Sequence, residues 1–260
     1  MIRRTTISVF TMALVLCACT ANDDGAADDG SSGEGDGGSD SSGGDETGGP
    51  SAPPVLPAVD GVEFVDVIDN PLLPMPVGAS WEYDAVTEEG TEHVVVTVTM
   101  DTETIEGVVA TVVRDTATLD GVVIEDTWDW FAQDVDGNVW YLGEDTCEFE
   151  DGACVDHHGT WKWGDAGALP GIVMPAHPAV DGKPYYEEYL VGEAEDAGEV
   201  IEIDVHVDVA AGSFDGCVKT EETSSLDLTV LEYKYFCPGV GLVLTEEADV
   251  DEELVAYDVP

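Results

Sequence analysis

Apolar and polar residues alternate with a period of two along most of this chain, and helical periodicity is nearly absent after Val62. Because successive side chains of a strand point to opposite faces, this pattern predicts strands with one buried and one solvated face. The clearest strand interleaves two sets, Ile201, Ile203, Val205, Val207 and Val209 with Glu202, Asp204, His206 and Asp208. A chain with this pattern folds into sheets.

Short turn signals separate the alternating segments. An acidic residue precedes glycine at Glu89-Gly90, Asp120-Gly121, Asp136-Gly137 and Asp181-Gly182. Such pairs favour hairpin turns. Many strands joined by short turns predict an all-β fold, a single antiparallel meander that forms a curved half-barrel or barrel-like sheet. We expect one such domain over residues 60–260, a size that all-β folds reach.

One predicted strand shows how the faces are assigned. Its apolar positions are Val122, Ile124, Trp128 and Trp130, and its polar positions are Glu125, Thr127 and Asp129. The simplest interpretation places the apolar set in the core and turns the polar set outward to solvent.

The concave side of a half-barrel has to be filled by side chains, by a helix or by a ligand, and the sequence offers no convincing amphipathic helix. We therefore predict a groove for an apolar ligand, walled by aromatic side chains. The candidate wall residues are Trp128, Trp130, Trp140, Trp161, Trp163 and Tyr186. By strand parity Trp161 and Trp163 share one face, as do Trp128 and Trp130. The alternative is that paired Trp residues are ordinary core.

The charge balance excludes some functions. Lys and Arg together number 7 against 57 Asp and Glu, which gives a formal net charge of −50. No basic patch can be assembled to neutralise phosphates, so we predict no nucleic-acid partner. Electrostatic docking on anionic lipid is disfavoured for the same reason.

The N-terminal residues resemble a bacterial export signal with a lipid anchor. Arg3 and Arg4 precede a short apolar run, Ile7 to Leu16, which is too short to span a membrane. The run ends in Leu16-Cys17-Ala18-Cys19, which resembles the lipobox of bacterial lipoproteins. The resemblance implies that residues 1–18 are a signal peptide. It also implies that Cys19 carries a thioether diacylglycerol and an amide-linked acyl chain such as palmitate, which together anchor stably in a membrane.

Residues 19–58 are predicted to be a disordered acidic tether behind the lipidated cysteine. Gly, Ser, Asp, Glu and Ala dominate them, and such a composition cannot bury surface. Thr20 stands where an Asp would resemble a retention signal, so we expect anchoring in the outer membrane, facing the periplasm or the cell surface.

Four cysteines, Cys147, Cys154, Cys217 and Cys237, remain for the domain. Four cysteines allow three pairings, and exported chains oxidise. A four-residue loop closed by Gly152 would place Cys147 opposite Cys154, and the other two would then pair by exclusion. A two-residue turn at Asp151-Gly152 would instead pair Phe149 with Cys154 and spoil this register.

The rival to a disulfide at this hairpin is a zinc site with His157 and His158. Adjacent strand residues point to opposite faces, and the cysteine spacing does not fit a zinc finger. Disulfides are therefore the favoured prediction.

A calcium loop is a second metal alternative. Asp134, Asp136 and Asn138 offer oxygen atoms at alternate positions, but Gly137 falls at position four, where an EF-hand loop has its glycine at position six. A hairpin turn is favoured, and calcium is the one cofactor that the sequence leaves open.

No nucleophile, nucleotide-binding or zinc-protease motif occurs in the sequence. Carboxylate pairs do occur at Glu187-Glu188, Glu221-Glu222 and Glu246-Glu247. They leave open a hydrolase with dispersed catalytic acids, although the domain is not predicted to be an enzyme.

The segment Tyr233-Lys-Tyr-Phe-Cys-Pro-Gly-Val-Gly-Leu-Val-Leu244 resembles a strand–turn–strand motif near the C-terminus of many uncharacterised exported bacterial proteins. Asp134–Glu144 and Gly192–Val200 resemble other segments of the same proteins, so the likeness covers most of residues 75–246. It implies a β domain and no known activity. Sheets of this kind are also similar to the half-barrels of periplasmic lipoprotein carriers, which is an analogy of fold alone.

Three functions follow as hypotheses. The first is a lipid-anchored envelope lipoprotein whose β domain binds an apolar ligand or an envelope protein partner. The second is a structural surface lipoprotein without a small-molecule site, and the third is the hydrolase. An aromatic-lined groove would favour binding, and a filled interior would favour the structural role.

Overall fold

The computed structural model describes residues 52–248 and 250–260. The predicted signal peptide, Cys19 and most of the predicted tether lie outside these residues. Sixteen strands and no helix occur in the described part of the chain, so it contains no helix long and apolar enough to cross a membrane.

The strands are β1 (Phe64–Val65), β2 (Ser80–Val86), β3 (Thr91–Ile105), β4 (Val108–Leu119), β5 (Val122–Asp134), β6 (Val139–Glu150), β7 (Ala153–Asp156), β8 (Trp161–Lys162), β9 (Leu169–Met174), β10 (Tyr185–Tyr186), β11 (Glu188–Tyr189), β12 (Asp196–Val209), β13 (Gly212–Ser224), β14 (Leu231–Cys237), β15 (Gly241–Glu247) and β16 (Val250–Asp258).

The strands form one antiparallel sheet that nearly closes into a barrel. Their order is β10-β12-β13-β14-β15-β16-β2-β3-β4-β5-β6-β9-β11, with β1 beside β5 and with β7 and β8 beside β6. The two ends of the path, β10 and β11, are separated in the chain by Glu187 alone. Since β10 pairs with β12 and β11 pairs with β9, one short segment completes the ring and leaves a single seam. The predicted all-β barrel-like meander is confirmed.

Two glycines allow the closing segment to sit at the seam. A Cβ on Gly171 of β9 would lie 2.3 Å from the backbone oxygen of Tyr186 and 2.4 Å from that of Glu187. A Cβ on Gly198 of β12 would lie 2.6 Å from the Oε1 atom of Glu187. Side chains at these positions would collide with the closing segment, so the seam depends on their absence.

A cluster of apolar side chains from strands around the ring, here the inner cluster, fills the barrel. The segment between β1 and β2 adds Ile68, Leu72, Leu73 and Met75 to it. The Gln133 side chain holds this segment, because its Oε1 atom accepts hydrogen bonds from the backbone N–H groups of residues 69 and 70, at 2.9 and 2.8 Å. The interior is therefore packed by the protein's own side chains.

A second apolar cluster, here the outer cluster, lies on the outside of β3–β6 and consists of Ile105, Ala110, Val112, Trp130, Ala132, Trp140 and Leu142. The chain before β2 covers it through Val59, Val62 and Phe64. The Phe64 ring meets the Trp140 ring edge-on, with centroids 5.9 Å apart. This covering segment keeps an apolar outer face out of water.

The outer cluster reverses the predicted faces of β5 over residues 127–130, whereas Ile124 packs against the inner cluster as predicted. Trp130 packs outside the barrel, and Thr127 and Asp129 point inward, at 0% and 2% exposure. The prediction that Asp129 faces solvent is wrong. Alternation shows that two faces differ in polarity, but a covering segment decides which of them lies in the barrel.

The ordered domain also begins earlier than the predicted boundary at residue 60. The backbone N–H of Val55 donates to the Pro184 carbonyl at 3.0 Å, and Tyr186 donates to the Val55 carbonyl at 3.1 Å. These bonds join Val55 in parallel to Tyr185, beside the seam. The last residues assigned to the tether are thus part of the fold.

The structure contains two disulfides, Cys147–Cys154 and Cys217–Cys237, as the sequence predicts. The expected four-residue loop is wrong, however. Asp151 and Gly152 both have positive φ, 52° and 78°, and form a two-residue turn that pairs Phe149 with Cys154. A bulge follows, in which Val155 of β7 is the extra residue between the Phe149–Cys154 and Glu148–Asp156 pairs. The disulfide spans the strands diagonally with the two Cα atoms 5.7 Å apart.

Replacing Gly171 by Ala is expected to open the seam, because the new methyl group would meet rigid backbone. We expect a loss of about 3 kcal/mol or more in the free energy of unfolding. Gly198→Ala is the matched control, since its Cβ meets a side chain that can move, and it should cost about 1 kcal/mol. Urea unfolding followed by tryptophan fluorescence measures both. Equal stability of the two variants would contradict this account of the seam.

Candidate functional site

A cleft of about 310 Å³ opens where β8 ends beside β6. Because β8 is only two residues long, side chains from both faces of the sheet reach the cleft. Its lining consists of Trp130, Glu144, Asp145, Thr160, Trp161, Lys162, Asp165, Ala166 and Leu190. The volume lies at the lower end of the range of small-molecule sites.

Gly143 allows β8 to approach β6 this closely. Its φ is 137°, and a Cβ there would lie 2.5 Å from the Trp161 carbonyl oxygen. Trp161 and Lys162 therefore lie directly beside Glu144 and Gly143 in the ladder. The ladder sets the ring of Trp161 on the inner side and the ammonium group of Lys162 on the outer side.

Glu144 forms the buried floor of the cleft. It is 1% exposed, and its Oε1 atom has no hydrogen-bond partner within the described residues. Burial raises the pKa of Glu144 well above its ordinary value, and the neighbouring charges of Glu188 and Asp129 raise it further. A hydrogen bond from the Tyr141 hydroxyl lowers the pKa of Glu144 in part, and burial still favours the neutral form of this carboxyl group.

Asp129 and Glu188 lie behind Glu144. The Tyr141 hydroxyl donates a 2.6 Å hydrogen bond to Asp129, whose pKa burial raises to about 7 although this bond lowers it. Glu188 is fully buried, and burial followed by the charge of Asp196 raises its pKa well above the ordinary range. The nearby indole N–H of Trp161 lowers the pKa of Glu188 by a smaller amount, although it is not in hydrogen-bonding geometry.

Lys234 is the centre of a second buried polar group. Its Nζ atom donates to Glu222 and lies 3.8 Å from an oxygen of Glu232. Burial alone would lower the pKa of Lys234, but the charges of Glu222, Glu232 and Glu187 outweigh it and raise that pKa. This single ammonium stabilises several inward carboxylates.

The interior cavity beside Lys234 is too small for an acyl chain. The cavity beside Lys234 holds about 30 Å³ and is lined by the inner cluster and by Glu187 and Glu222. This volume admits one or two water molecules. The predicted apolar groove on the concave side is therefore wrong, because side chains and the segment before β2 fill that side.

The six aromatic residues of the predicted groove do not form one wall. Trp130 and Trp161 line the cleft, whereas Trp128, Trp140 and Trp163 belong to or pack against the outer cluster. Tyr186 meets Tyr189 edge-on at the seam, with centroids 4.9 Å apart. Trp161 and Trp163 do not share a face, because the strand ends at residue 162.

The predicted calcium candidates form the turn between β5 and β6. The Asp134 carboxylate accepts hydrogen bonds from the backbone N–H groups of Asp136 and Asn138, from the Asn138 side chain and from the Trp140 indole, all at 2.8–3.0 Å. Four donors occupy the four acceptor positions of this carboxylate. The geometry supports the turn and argues against the calcium alternative.

The geometry also opposes the zinc alternative. Among the described residues, one group of possible ligands lies close enough for a metal, namely Cys147, Cys154 and His157. The two sulfur atoms of this group are bonded to each other, so they are not thiolate ligands. His158 is not in the group.

Comparisons with known proteins yield one structural similarity. No protein-family model matches the chain, and no curated protein matches it. It is similar to the crystal structure of a "putative lipoprotein" from Parabacteroides distasonis, with a TM-score of 0.35 and 14% identity over 75% of this chain and 100% of the other. Similarity at this level carries no argument about function, so the function rests on the residues themselves.

We expect the inward carboxylates to make the free energy of unfolding fall as pH rises. The pKa values of Asp129, Asp196 and Glu232 are about 7 in the folded chain and about 4 in the unfolded chain. The folded state therefore binds more protons between these values, and each group lowers the free energy of unfolding by at most about 1.4 kcal/mol per pH unit there. Urea unfolding between pH 4 and 8 at constant salt measures the slope.

Asp129→Asn is expected to flatten this pH dependence, because it removes one inward titrating group and keeps an acceptor for Tyr141. Glu202→Gln, at an exposed position of β12, is the matched control and should leave the slope unchanged. A stability that rises from pH 4 to 7 in the unsubstituted chain would contradict the inward placement of these acids.

Proposed function

We propose that this chain is a lipid-anchored lipoprotein of the bacterial cell envelope whose barrel domain binds a small ligand in the cleft beside β8. The observation that carries the binding role is Glu144, a buried carboxyl group whose Oε1 atom has no partner and which forms the cleft floor. An unpaired buried polar atom costs free energy, which a ligand donor at that position would recover.

The ligand is inferred to be a small organic cation with an apolar body. Trp130, Trp161 and Leu190 supply apolar walls, and Glu144, Asp145 and Asp165 outnumber the single ammonium of Lys162. That ammonium already lies 4.0 Å from the ring centroid of Trp130, a contact that aromatic rings make with cations. The ligand is therefore expected to be an amine, and the packed interior disfavours a long acyl chain.

The anchoring role is supported by residues 1–20, where the lipobox-like Leu16-Cys17-Ala18-Cys19 follows the apolar run. Outer-membrane placement is the finer part of the proposal and relies on Thr20.

A hydrolase is the second candidate function. One observation favours it: the burial-raised pKa of Glu144 would suit a general acid beside the more exposed carboxylates of Asp145 and Asp165. Assays of ester and glycoside hydrolysis with Glu144→Gln distinguish it from simple binding.

Ligand binding is tested with three probes of matched shape, namely phenethylamine, phenylethanol and phenylacetate. The amine should quench tryptophan fluorescence most and should bind more tightly as pH rises, since binding favours the ionised form of Glu144. Glu144→Gln should weaken binding by about tenfold or more, and Glu89→Gln, on an exposed turn, should leave it unchanged. No response to any probe would leave the structural role standing.

Anchoring is tested by expressing the full chain in a Gram-negative host and separating membrane from soluble fractions. Cys19→Ala should release the protein from the membrane, because no residue would then carry the acyl chains. Cys17→Ala is the matched control and should stay anchored. A Cys19→Ala chain found wholly in the membrane fraction would refute the lipid anchor.

A further inference from the structure

The two disulfides lie in very different surroundings. Cys217 and Cys237 are both 0% exposed and belong to the inner cluster. Cys154 is exposed, and it lies on β7, whose four residues are all exposed and pair with β6 alone. Reagents in solution can therefore reach the Cys147–Cys154 bond, whereas the other bond is sealed in the core.

A histidine is held against the exposed disulfide. The Nε2 atom of His157 lies 3.3 Å from the Sγ atom of Cys154. Its Nδ1 atom lies 2.7 Å from the Thr146 carbonyl oxygen, which can only accept a hydrogen bond, so Nδ1 carries a proton. An oxygen of the Asp145 carboxylate lies 3.7 Å from Nδ1. With Nδ1 engaged by the Thr146 carbonyl, a second proton on the ring would sit on Nε2 and point at the sulfur.

We propose that the Cys147–Cys154 bond is a thiol–disulfide exchange site, with Cys154 as the sulfur that leaves on reduction and attacks on reoxidation. The arrangement places an imidazole nitrogen, which can carry a proton, within hydrogen-bonding distance of the Cys154 sulfur. A thiolate next to a protonated histidine is stabilised, and the better-stabilised sulfur is the better leaving group.

The exchange uses two equivalents of a thiol from solution. The first thiolate attacks Sγ of Cys147, the S–S bond breaks, and its electron pair goes to Sγ of Cys154, which takes a proton from His157. A second thiolate then attacks the bound thiol's sulfur and releases Cys147. Two thiols are thereby oxidised to one disulfide, and the protein disulfide is reduced to two cysteine thiols that take up the two protons.

The charged residues around the hairpin determine which thiols can approach the disulfide. Asp145, Glu148, Glu150, Asp151 and Asp156 lie on or beside it, and His157 and His158 are the only basic groups within residues 145–158. Such a surface repels anionic thiols and attracts cationic ones, and salt weakens this preference. The substrate class is therefore a small neutral or cationic thiol.

The first test measures the reduction of both disulfides in the full chain, with Cys19→Ala to keep it soluble. The chain is treated with cysteamine or with glutathione at pH 7, quenched by alkylation and mapped by mass spectrometry. We expect Cys147–Cys154 to be reduced at least about a hundredfold faster than Cys217–Cys237, and faster by cysteamine than by glutathione at low salt. Similar rates for the two bonds would overturn the proposal.

The second test assigns the roles of the hairpin residues. His157→Asn keeps a donor for the Thr146 carbonyl but removes Nε2, and should slow reduction by about tenfold. His158→Asn is the matched control. In the reduced chain at pH 6, iodoacetamide should alkylate Cys154 before Cys147, a preference that His157→Asn abolishes. Equal rates in the two histidine variants, or alkylation of Cys147 first, would refute the assigned roles, and unchanged urea midpoints show that both variants fold.

Discussion

Closure of the barrel depends on one close crossing, where the backbone of Tyr186 and Glu187 passes directly over Gly171. The sheet path begins at β10 and ends at β11, and these two strands are joined through a single residue. This crossing brings Glu187 and Glu188 inside, where the charge of Lys234 acts on Glu187 and the charge of Glu188 acts on Glu144. The packing of the interior and the carboxyl groups behind the cleft both follow from it.

Inward carboxyl groups are the main electrostatic feature of the fold. With 7 basic residues against 57 acidic ones, the chain cannot pair each buried acid with a cation, so protons and hydroxyl donors take that role at Asp129 and Glu144. The free-energy cost of burying these carboxyl groups therefore falls on residues at or behind the cleft floor. Perturbed carboxyl groups beside a cleft are typical of functional sites, and this links the electrostatics of the barrel to the proposed binding role.

Much of the fold could be predicted from the sequence, because alternation and acid-Gly turns are local signals. The antiparallel sheet needed little else. The disulfide pairings agree with the prediction, although the four-residue loop on which the Cys147–Cys154 pairing rested is wrong. The cleft could not be predicted, because it depends on where β8 stops and on which face of β5 turns inward. The segment containing Phe64 determines which face of β5 turns inward, because it covers the outer cluster through contacts with Trp140, 76 residues later in the chain. A local sequence pattern cannot show such a distant contact. The pair Glu187-Glu188 is evident in the sequence, but one pair among so many acidic residues does not indicate a site. Only the structure, which places the pair at the seam, shows that both side chains are buried.

The position of Val55 determines which contacts break first when the chain before the domain is pulled. Any pull on the chain before Ala52 enters the fold at the two hydrogen bonds that join Val55 to Pro184 and Tyr186, beside the seam. Only after these bonds break does the load reach the segment that covers the outer cluster, which lies on β3–β6. A load applied there would thus release Val55 from the side of the seam first, and the tryptophan-rich outer face would be uncovered only later.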